Sequence, residues 1–560
     1  MSSQSNYWGA GTSIVLRRFP RLLLPPTNIS RPALAASLWL LHKLTNRAIK
    51  SYRRNQERRQ LGPDVIEVPS VEFKLPWNID FIPFANEARE RGYVNDAMAP
   101  FLDSVGNIFN LTLFGEDFIF TNEPEHVKAM LSTDFGNFVK GRSNHEKMFS
   151  LLGEGVFNVD GDMWKFHRSM TRPYFSRERI THFELFARHS DAAISKLLAH
   201  PHGAVDFQDL VSKFTMDSAS EFLFGINVRS LDQSLPLPHT TETEGNRFSA
   251  AFTGVQAHAV VRFSYGALWP YMELFSDRTR KDMSIIEAFI QPILEAKLGL
   301  KKKGGLEDEE EKETLIDHLV KLTDDEKLIK DELLNIMVAG RDTTASTLTF
   351  ACYMLATNPH VLSKLRAEVL DHVGTSSHPT IENFKEMKYL RAVINEVLRV
   401  YPPVPLNQRE CVNSTVFNSG GKQYFIPAGA AVIYSVLFMH TRKDLWGDDA
   451  EVFDPERWLD DRYKKYVLPN PFIFLPFNAG PRICLGQQFA YNEISFFLIR
   501  LLQRVDQISL APDAQPSNSH PPKSWAAGPG RRAVEKIWPK AHLTLYSYGG
   551  LWVRMKEARN

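Results

Sequence analysis

The chain has 560 residues, with 66 Lys or Arg against 65 Asp or Glu, a formal net charge of +1. That balance excludes the basic footprint nucleic acid requires, and three cysteines cannot make a disulfide framework, so the catalytic part is expected to face a reducing compartment. Length alone suggests three or four domains at roughly 150 residues each. The motifs that follow, spread from Trp164 to Cys484, argue instead for one large domain.

Residues 1–60 carry eleven Lys or Arg and a single acid, Glu57. Their apolar stretches are interrupted by Arg17, Arg18, Arg21 and Arg31. None approaches the ~20 apolar residues that span a bilayer. A basic amphipathic anchor lying on the membrane is therefore expected, with Lys43, Arg47, Arg53, Arg54, Arg58 and Arg59 drawn to anionic lipid. The same acid-poor, Arg-rich composition also suits a mitochondrial targeting peptide. Residues 61–95, with Pro69, Pro76 and Pro83, read as a linker, and 96–560 as the catalytic domain.

Leu111 to Phe120 predicts a hairpin about Gly115, with a helix after Pro124. Ser150 to Gly161 is a glycine-containing apolar loop, followed by a helix on which Trp164 and Arg168 share one face. Indole N–H and guanidinium are both donors suited to a carboxylate. His167 beside them could also reach such a carboxylate but reads rather as a surface histidine, and no histidines show a spacing such as His-x-x-x-His that would hold a further metal. Residues 230–246 read as a polar, proline-containing loop, and the charge runs after Lys301 and Glu307 as solvated surface.

A long apolar helix is predicted from Lys330 to Thr357, stopped by Asn358-Pro359. Its middle, Gly340-Arg-Asp342-Thr343-Thr344, places poor helix formers where Leu or Ala would be favoured. Threonine hydroxyls there can bond the carbonyls of the preceding turn and open the helix locally. Glu396 and Arg399 share a helical face. Val404, Pro405 and Leu406 follow as an apolar strand entry, then Arg409, and Arg457 lies in the Pro-turned segment Phe453 to Trp458. An exposed Glu-x-x-Arg pair stabilises by only about 0–1 kcal/mol.

Phe477-Asn-Ala-Gly480-Pro-Arg482-Ile-Cys484-Leu-Gly486 isolates one cysteine in a glycine-rich loop beside a cation. Gly480 and Gly486 permit tight turns and close approach to a flat macrocycle, and turn N–H groups can point at the sulfur. Arg482 is placed to meet an acidic group on the rim of such a cofactor. Ile483 and Leu485 are expected to keep the site dry. Gln487 to Arg500 predicts a helix packed against the cofactor, 513–541 a surface insertion, and Leu543 to Met555 a closing hairpin about Gly549-Gly550.

The cysteine loop matches the pattern F-x-x-G-x-R-x-C-x-G, and so resembles the cytochrome P-450 family of heme-thiolate monooxygenases. The resemblance implies a mainly α fold with small β-sheets, a triangular helical prism enclosing heme b (iron protoporphyrin IX). It implies that Cys484 ligates the iron, cradled by Phe477 and Gly486. Trp164, Arg168, Arg409 and Arg482 would hold the heme propionates. Asp342 would relay protons and Thr343 position them for dioxygen cleavage. Glu396, Arg399 and Arg457 would form a charged knot fixing the cysteine loop, a structural role.

Only 76 residues follow Cys484 (560 − 484), and nothing resembles a flavin or nicotinamide domain, so electrons are expected from a separate protein. The resemblance implies an NADPH-dependent flavoprotein reductase docking where the cysteine loop nears the surface, and a site on the cytosolic face of the endoplasmic reticulum membrane, a mitochondrial membrane being the alternative. Residues 150–161 look most like fungal hydroxylases of alkanes and fatty acids. A small hydrophobic substrate oxidised with O2 at an unactivated C–H bond is expected, with polycyclic aromatic or terpenoid compounds as the alternative. A reductase-independent heme-thiolate isomerase or dehydratase is disfavoured by Asp342-Thr343, since rearranging a peroxide needs no proton delivery to dioxygen. A non-catalytic heme sensor is the remaining alternative.

Overall fold

Residues 45, 49, 51–94, 96–175, 183–200, 203–238, 247–303 and 313–559 are described in the structure, a computed structural model. The chain divides into Met1–Gln56 and Glu57–Asn560. Residues 51–61 are helical, and the rest of the expected anchor over 1–60 lies almost wholly outside the described residues. Among the described residues no helix is long and apolar enough to cross a membrane.

The segment expected as a linker folds into the body of the protein. Strand β1 (Val65–Glu67) pairs in parallel with β9 (Lys422–Ile426), which pairs in turn with β8 (Thr415–Ser419). Strand β2 (Ser70–Val71) opens a six-stranded sheet, in the order β2, β3 (Ile108–Leu113), β4 (Glu116–Thr121), β10 (Ala431–Ser435), β7 (Leu406–Cys411), β5 (Phe138–Val139). Helix α1 (Phe81–Arg91) follows, and Pro83 is accommodated in its first turn, where backbone N–H groups have no helical partner anyway. Phe73, Phe81, Phe84 and Phe101 pack ring against ring beneath it.

The predicted hairpin is present. Leu113 pairs with Glu116 across a two-residue loop, in which Phe114 and Gly115 both take positive φ, 52° and 85°. That turn matches the twist of the flanking strands. Helices α2 (Arg142–Leu152) and α3 (Gly161–Thr171) come next. Then α4 (Phe207–Phe224) begins at Asp206, whose carboxylate accepts the Gln208 and Asp209 N–H groups, and ends at Gly225 with φ 71°. Helix α5 (Arg247–Ser264) precedes the long helix α6 (Glu326–Thr357).

Helix α6 starts four residues before Lys330, because Asp325 caps it by accepting the Leu328 N–H at 3.0 Å. It runs unbroken through its polar centre. Thr343, Thr347 and Thr349 each donate a hydroxyl to the carbonyl four residues back, at 2.7, 2.9 and 2.7 Å, so these side chains are satisfied within the helix. One core cluster holds Ile336, Met337 and Val338 of α6 with Val255 of α5, Leu151 of α2 and Trp164 of α3. A second, larger one joins Leu348 to Leu355 of α6 with α4, α7 (Lys388–Val400) and α8 (Gln487–Arg504). Asp342 to Thr344 fall at the seam between them.

The C-terminal region differs from expectation twice. Leu543 to Met555 makes no hairpin: β13 (Leu545–Ser547) pairs back with β12 (Pro539–Ala541), whereas β14 (Trp552–Glu557) joins β11 (Val505–Leu510) and β6 (Val205–Asp206). Gly549 and Gly550, at φ 77° and 88°, turn the chain from one sheet to the other. Nor is 513–541 a surface insertion. Its buried Glu535 accepts hydroxyl hydrogen bonds from Tyr353 at 2.9 Å, Tyr401 at 2.7 Å and Tyr93 at 3.2 Å, and Trp538 donates to the Gly92 carbonyl.

Candidate active site

The cysteine loop is closed by the Cys484 N–H donating to the Phe477 carbonyl at 3.0 Å, and Phe477 packs on Tyr491 of α8. Gly480 is required here: φ is 67° and an added Cβ would stand 1.7 Å from the Leu131 carbonyl oxygen. Asn478, also at positive φ, accepts the Tyr434 hydroxyl. Cys484 is exposed on a cleft of about 560 Å³ that it shares with Arg168, Arg172, Phe175, Ile483 and Leu485. Ile483, expected to help keep the site dry, is itself 38% exposed. Protein packed behind the sulfur pushes the thiol pKa up, against the Gly486 N–H and the Arg168 charge, which favour thiolate.

Trp164 and Arg168 lie on one face of α3, as their spacing requires, and Arg168 donates to the Ile483 carbonyl at 2.8 Å. The guanidinium of Arg482 lies 4.6 Å from the Trp164 ring and bonds Asp160 at 2.6 Å and the Val159 carbonyl at 2.9 Å. Arg409 is fully buried in β7, and Lys140 completes a group of three cations around Asp160, whose carboxylate also caps the Lys140 and Gly141 N–H groups. Burial and mutual repulsion pull Lys140 well down, and Arg482 to about 10. The Nε atoms of Arg409 and Arg482 have no hydrogen-bond partner among the described residues. Excess cation with unspent donors is the complement of a group bearing carboxylates, so this corner fits the rim of heme.

Helix α6 carries Asp342 and Thr343. Asp342 accepts a hydrogen bond from Gln256 of α5 at 2.6 Å and lies 3.2 Å from the Arg341 guanidinium. Around Gly340 the helix surface is open: a Cβ there would find nothing nearer than Ala219 at 3.9 Å. Glu493 of α8 was not anticipated. Nine residues past Cys484, it accepts the Ser218 hydroxyl at 2.6 Å and bonds Thr344, so the helix leaving the cysteine loop is tied to the residue after Thr343. Burial raises its carboxyl to about 7. A single acid inside the run Phe489 to Ile499 was the available signal.

Glu396, Arg399 and Arg457 form one knot with no solvent exposure beyond 1%. Glu396 accepts from Arg399 at 2.8 and 2.7 Å, Arg457 at 3.2 Å, Trp458 Nε1 at 3.0 Å and the Asp454 N–H at 2.9 Å. Burial would push this carboxyl up, but the two guanidiniums outweigh it and hold the pKa below the usual range. The knot reaches the cysteine loop through His440. Leu475 N–H donates to its Nε2 at 2.9 Å, so the ring is neutral and its Nδ1–H donates to the Arg399 carbonyl at 3.1 Å. Burial pulls His440 down to about 3.

His167, expected at the surface, is buried, with Nδ1 2.8 Å from Glu332 of α6. The same Glu332 oxygen accepts the Val156 N–H, Asp331 accepts that of Glu154, and Asn335 that of Phe157. Loop 153–157 is thereby seated on α6. A side chain at Gly155 would collide with Asn335 at 2.1 Å. Leu406, read as part of an apolar strand entry, is 37% exposed.

A family profile described as Cytochrome P450 matches residues 75–530. Cytochrome P450 52A1 of Candida tropicalis is 38% identical over 436 residues, covering 75% of this chain and 78% of its own. Cytochrome P450 52A3-A of Candida maltosa is 36% identical over 466 residues, 80% of this chain and 86% of its own. Cytochrome P450 52E1 of Candida apicola is 38% identical over 417 residues, 72% and 78%. The solved cytochrome P450DA heme domain superposes with a TM-score of 0.68 at 21% identity, over 88% of this chain and 98% of that one, which shows the mainly α fold with small sheets. The chain thus belongs to the cytochrome P450 family: it is a heme-thiolate monooxygenase, an oxidoreductase that carries heme b and uses O2, a hydrophobic substrate and a redox partner.

Proposed function

We propose that this enzyme hydroxylates long-chain fatty acids or alkanes, with Cys484 as the residue that would ligate the heme iron and Asp342 and Thr343 as its proton-handling groups. Heme, when bound, would supply the iron for dioxygen reduction, and the Cys484 thiolate would hold that iron and donate electron density to it. The chain's part is to hold that group and move protons. Trp164, Arg168, Arg409 and Arg482 offer donors to its carboxylates, and the Glu396 knot, through His440 and Leu475, fixes the loop that carries the sulfur. The Thr343 hydroxyl, donating to the Ala339 carbonyl, leaves its oxygen lone pairs free to accept a proton chain. Asp342, held by Gln256 and Arg341, is the acid beside it, and Glu493 with Ser218 and Thr344 forms a second buried proton reservoir.

The observation that carries the reaction is the cationic corner with unspent Nε donors next to a cleft-lining thiol. The apolar loop 150–161 and its seating on α6 support the substrate class, as does similarity to Candida relatives. Arg168 and Arg172 around Cys484, with Lys385, Lys388 and Arg391 along the neighbouring cleft, suit an acidic electron donor. We take this donor to be an NADPH-dependent flavoprotein reductase at the endoplasmic reticulum membrane, where the basic N-terminus would meet lipid. The reduced, carbonyl-bound protein should show the red-shifted Soret band of thiolate ligation, and Cys484→Ser should lose it. Product analysis with reductase and NADPH against fatty acids, alkanes and polycyclic aromatics decides the substrate; turnover of a lipid hydroperoxide without reductase, and none with it, would overturn the reading.

A further inference from the structure

The tip of the β12–β13 hairpin, His542 to Thr544, reaches the seam beside α6: Leu543 packs on the cluster that contains Ile336 to Val338. His542 stacks on Tyr546 at 4.7 Å, and the Asp342 charge is felt at its ring. Two residues back, Lys540 is held in one place. Its ammonium donates to the Glu90 carbonyl of α1 at 2.6 Å and lies over the Trp538 and Tyr548 rings, at 4.5 and 4.0 Å. Arg89 of α1 completes the group, braced by Asn86 at 3.3 Å. Its charge bears on Lys540, His542 and Tyr546 together. Glu90, largely exposed, lies 3.9 Å from Arg89 and its charge bears on Lys540, so one carboxylate stands against these two cations among the described residues. Lys540, His542, Leu543 and Tyr546 are all half-buried, so they border open space rather than solid core.

We propose that Arg89 and Lys540, with His542 inside them, form the site that receives the carboxylate of a long-chain acid while its hydrocarbon runs past Leu543 toward Asp342. This rests on the substrate reading above and selects the acid over the alkane within it. An ammonium with one fixed bond and two free protons, beside a guanidinium, is preorganised for a carboxylate. The aromatic floor of Trp538 and Tyr548 suits the first methylenes. Being near the surface, the site should respond to salt.

The test uses purified, heme-loaded protein and the spectral shift caused by substrate binding, with a long-chain saturated acid, the primary alcohol of the same length and the alkane. Wild type should bind the acid about tenfold or more tighter than the alcohol, a preference that shrinks as ionic strength rises. Arg89→Gln with Lys540→Gln should remove that preference, weakening the acid about tenfold and the alcohol less than about twofold. Arg89→Lys should retain most of it. Equal loss for acid and alcohol, or a wild type without any acid preference, overturns the site while leaving hydrocarbon oxidation standing. If wild type binds none of the three, the substrate reading itself falls and the site with it.

Discussion

Glu493→Gln isolates one buried proton. Burial raises this carboxyl from 4.5 to about 7 despite its bonds from Ser218 and Thr344. In the unfolded chain it titrates at about 4.3. Between those two values the folded protein keeps a proton that the unfolded chain has released, so stability falls as pH rises, by about 1.4 kcal/mol per pH unit. The contribution is complete below about pH 4.3, and about 4 kcal/mol of it is gone once pH passes about 7. Glutamine keeps the shape and an acceptor oxygen but carries no titrating proton. Wild type and variant, matched for heme content, should be melted from about pH 5 to about pH 8. The Tm difference should move in the variant's favour by about 2–3 °C between about pH 5 and about pH 7 and then stay level. A difference that does not change with pH would refute the assignment of this proton to Glu493.

Glu396→Ala strands Arg399 and Arg457 in the interior and should cost about 3–5 kcal/mol, read as loss of heme content and an earlier melt. Full heme loading of that variant would show that the knot does not hold the cysteine loop. Gly480→Ala should prevent assembly of the loop, since its Cβ meets the Leu131 carbonyl at 1.7 Å, whereas Gly299→Ala, in open space on helix Arg280–Lys302, should stabilise by up to about 1 kcal/mol. Heme-loaded yield and Tm of the pair decide this. Arg482→Ala should leave Asp160 capping Lys140 and Gly141 but weaken heme retention, measured as the rate of heme transfer to apomyoglobin; an unchanged rate would remove Arg482 from the cofactor's grip.

Short-range chemistry was readable from the chain itself. The spacing of Trp164 and Arg168, the Glu396 and Arg399 pair, the glycines about Cys484 and the Phe114-Gly115 turn all depend on neighbours within one helical turn or one loop. Those local rules also placed Asp342 and Thr343 mid-helix. Missed features share one cause: each needs a partner far away in sequence. Gln256 reaches Asp342 across 86 residues, Ser218 reaches Glu493 across 275, and Asp160 meets Arg482 across 322. His167 reads as a surface residue until α6 brings Glu332 over it, 165 residues on. The proline-containing segment 61–95 reads as a linker until β9 and β3 offer it strand edges, and Gly549-Gly550 reads as a hairpin turn until β11 takes β14 away from β13.

The sequence by itself carried the family resemblance that implied the reaction class, because the cysteine loop and the Asp342-Thr343 segment are local patterns of residue type and spacing. Tertiary structure alone decided how the charges are spent. Burial is what raises the Glu493 carboxyl to about 7, leaves Arg409 and Arg482 with donors to give, and brings Arg89 and Lys540 together at the hairpin that faces Asp342. Desolvation and charge contact depend on distances in space, and these are set only when helices α5, α6 and α8 pack.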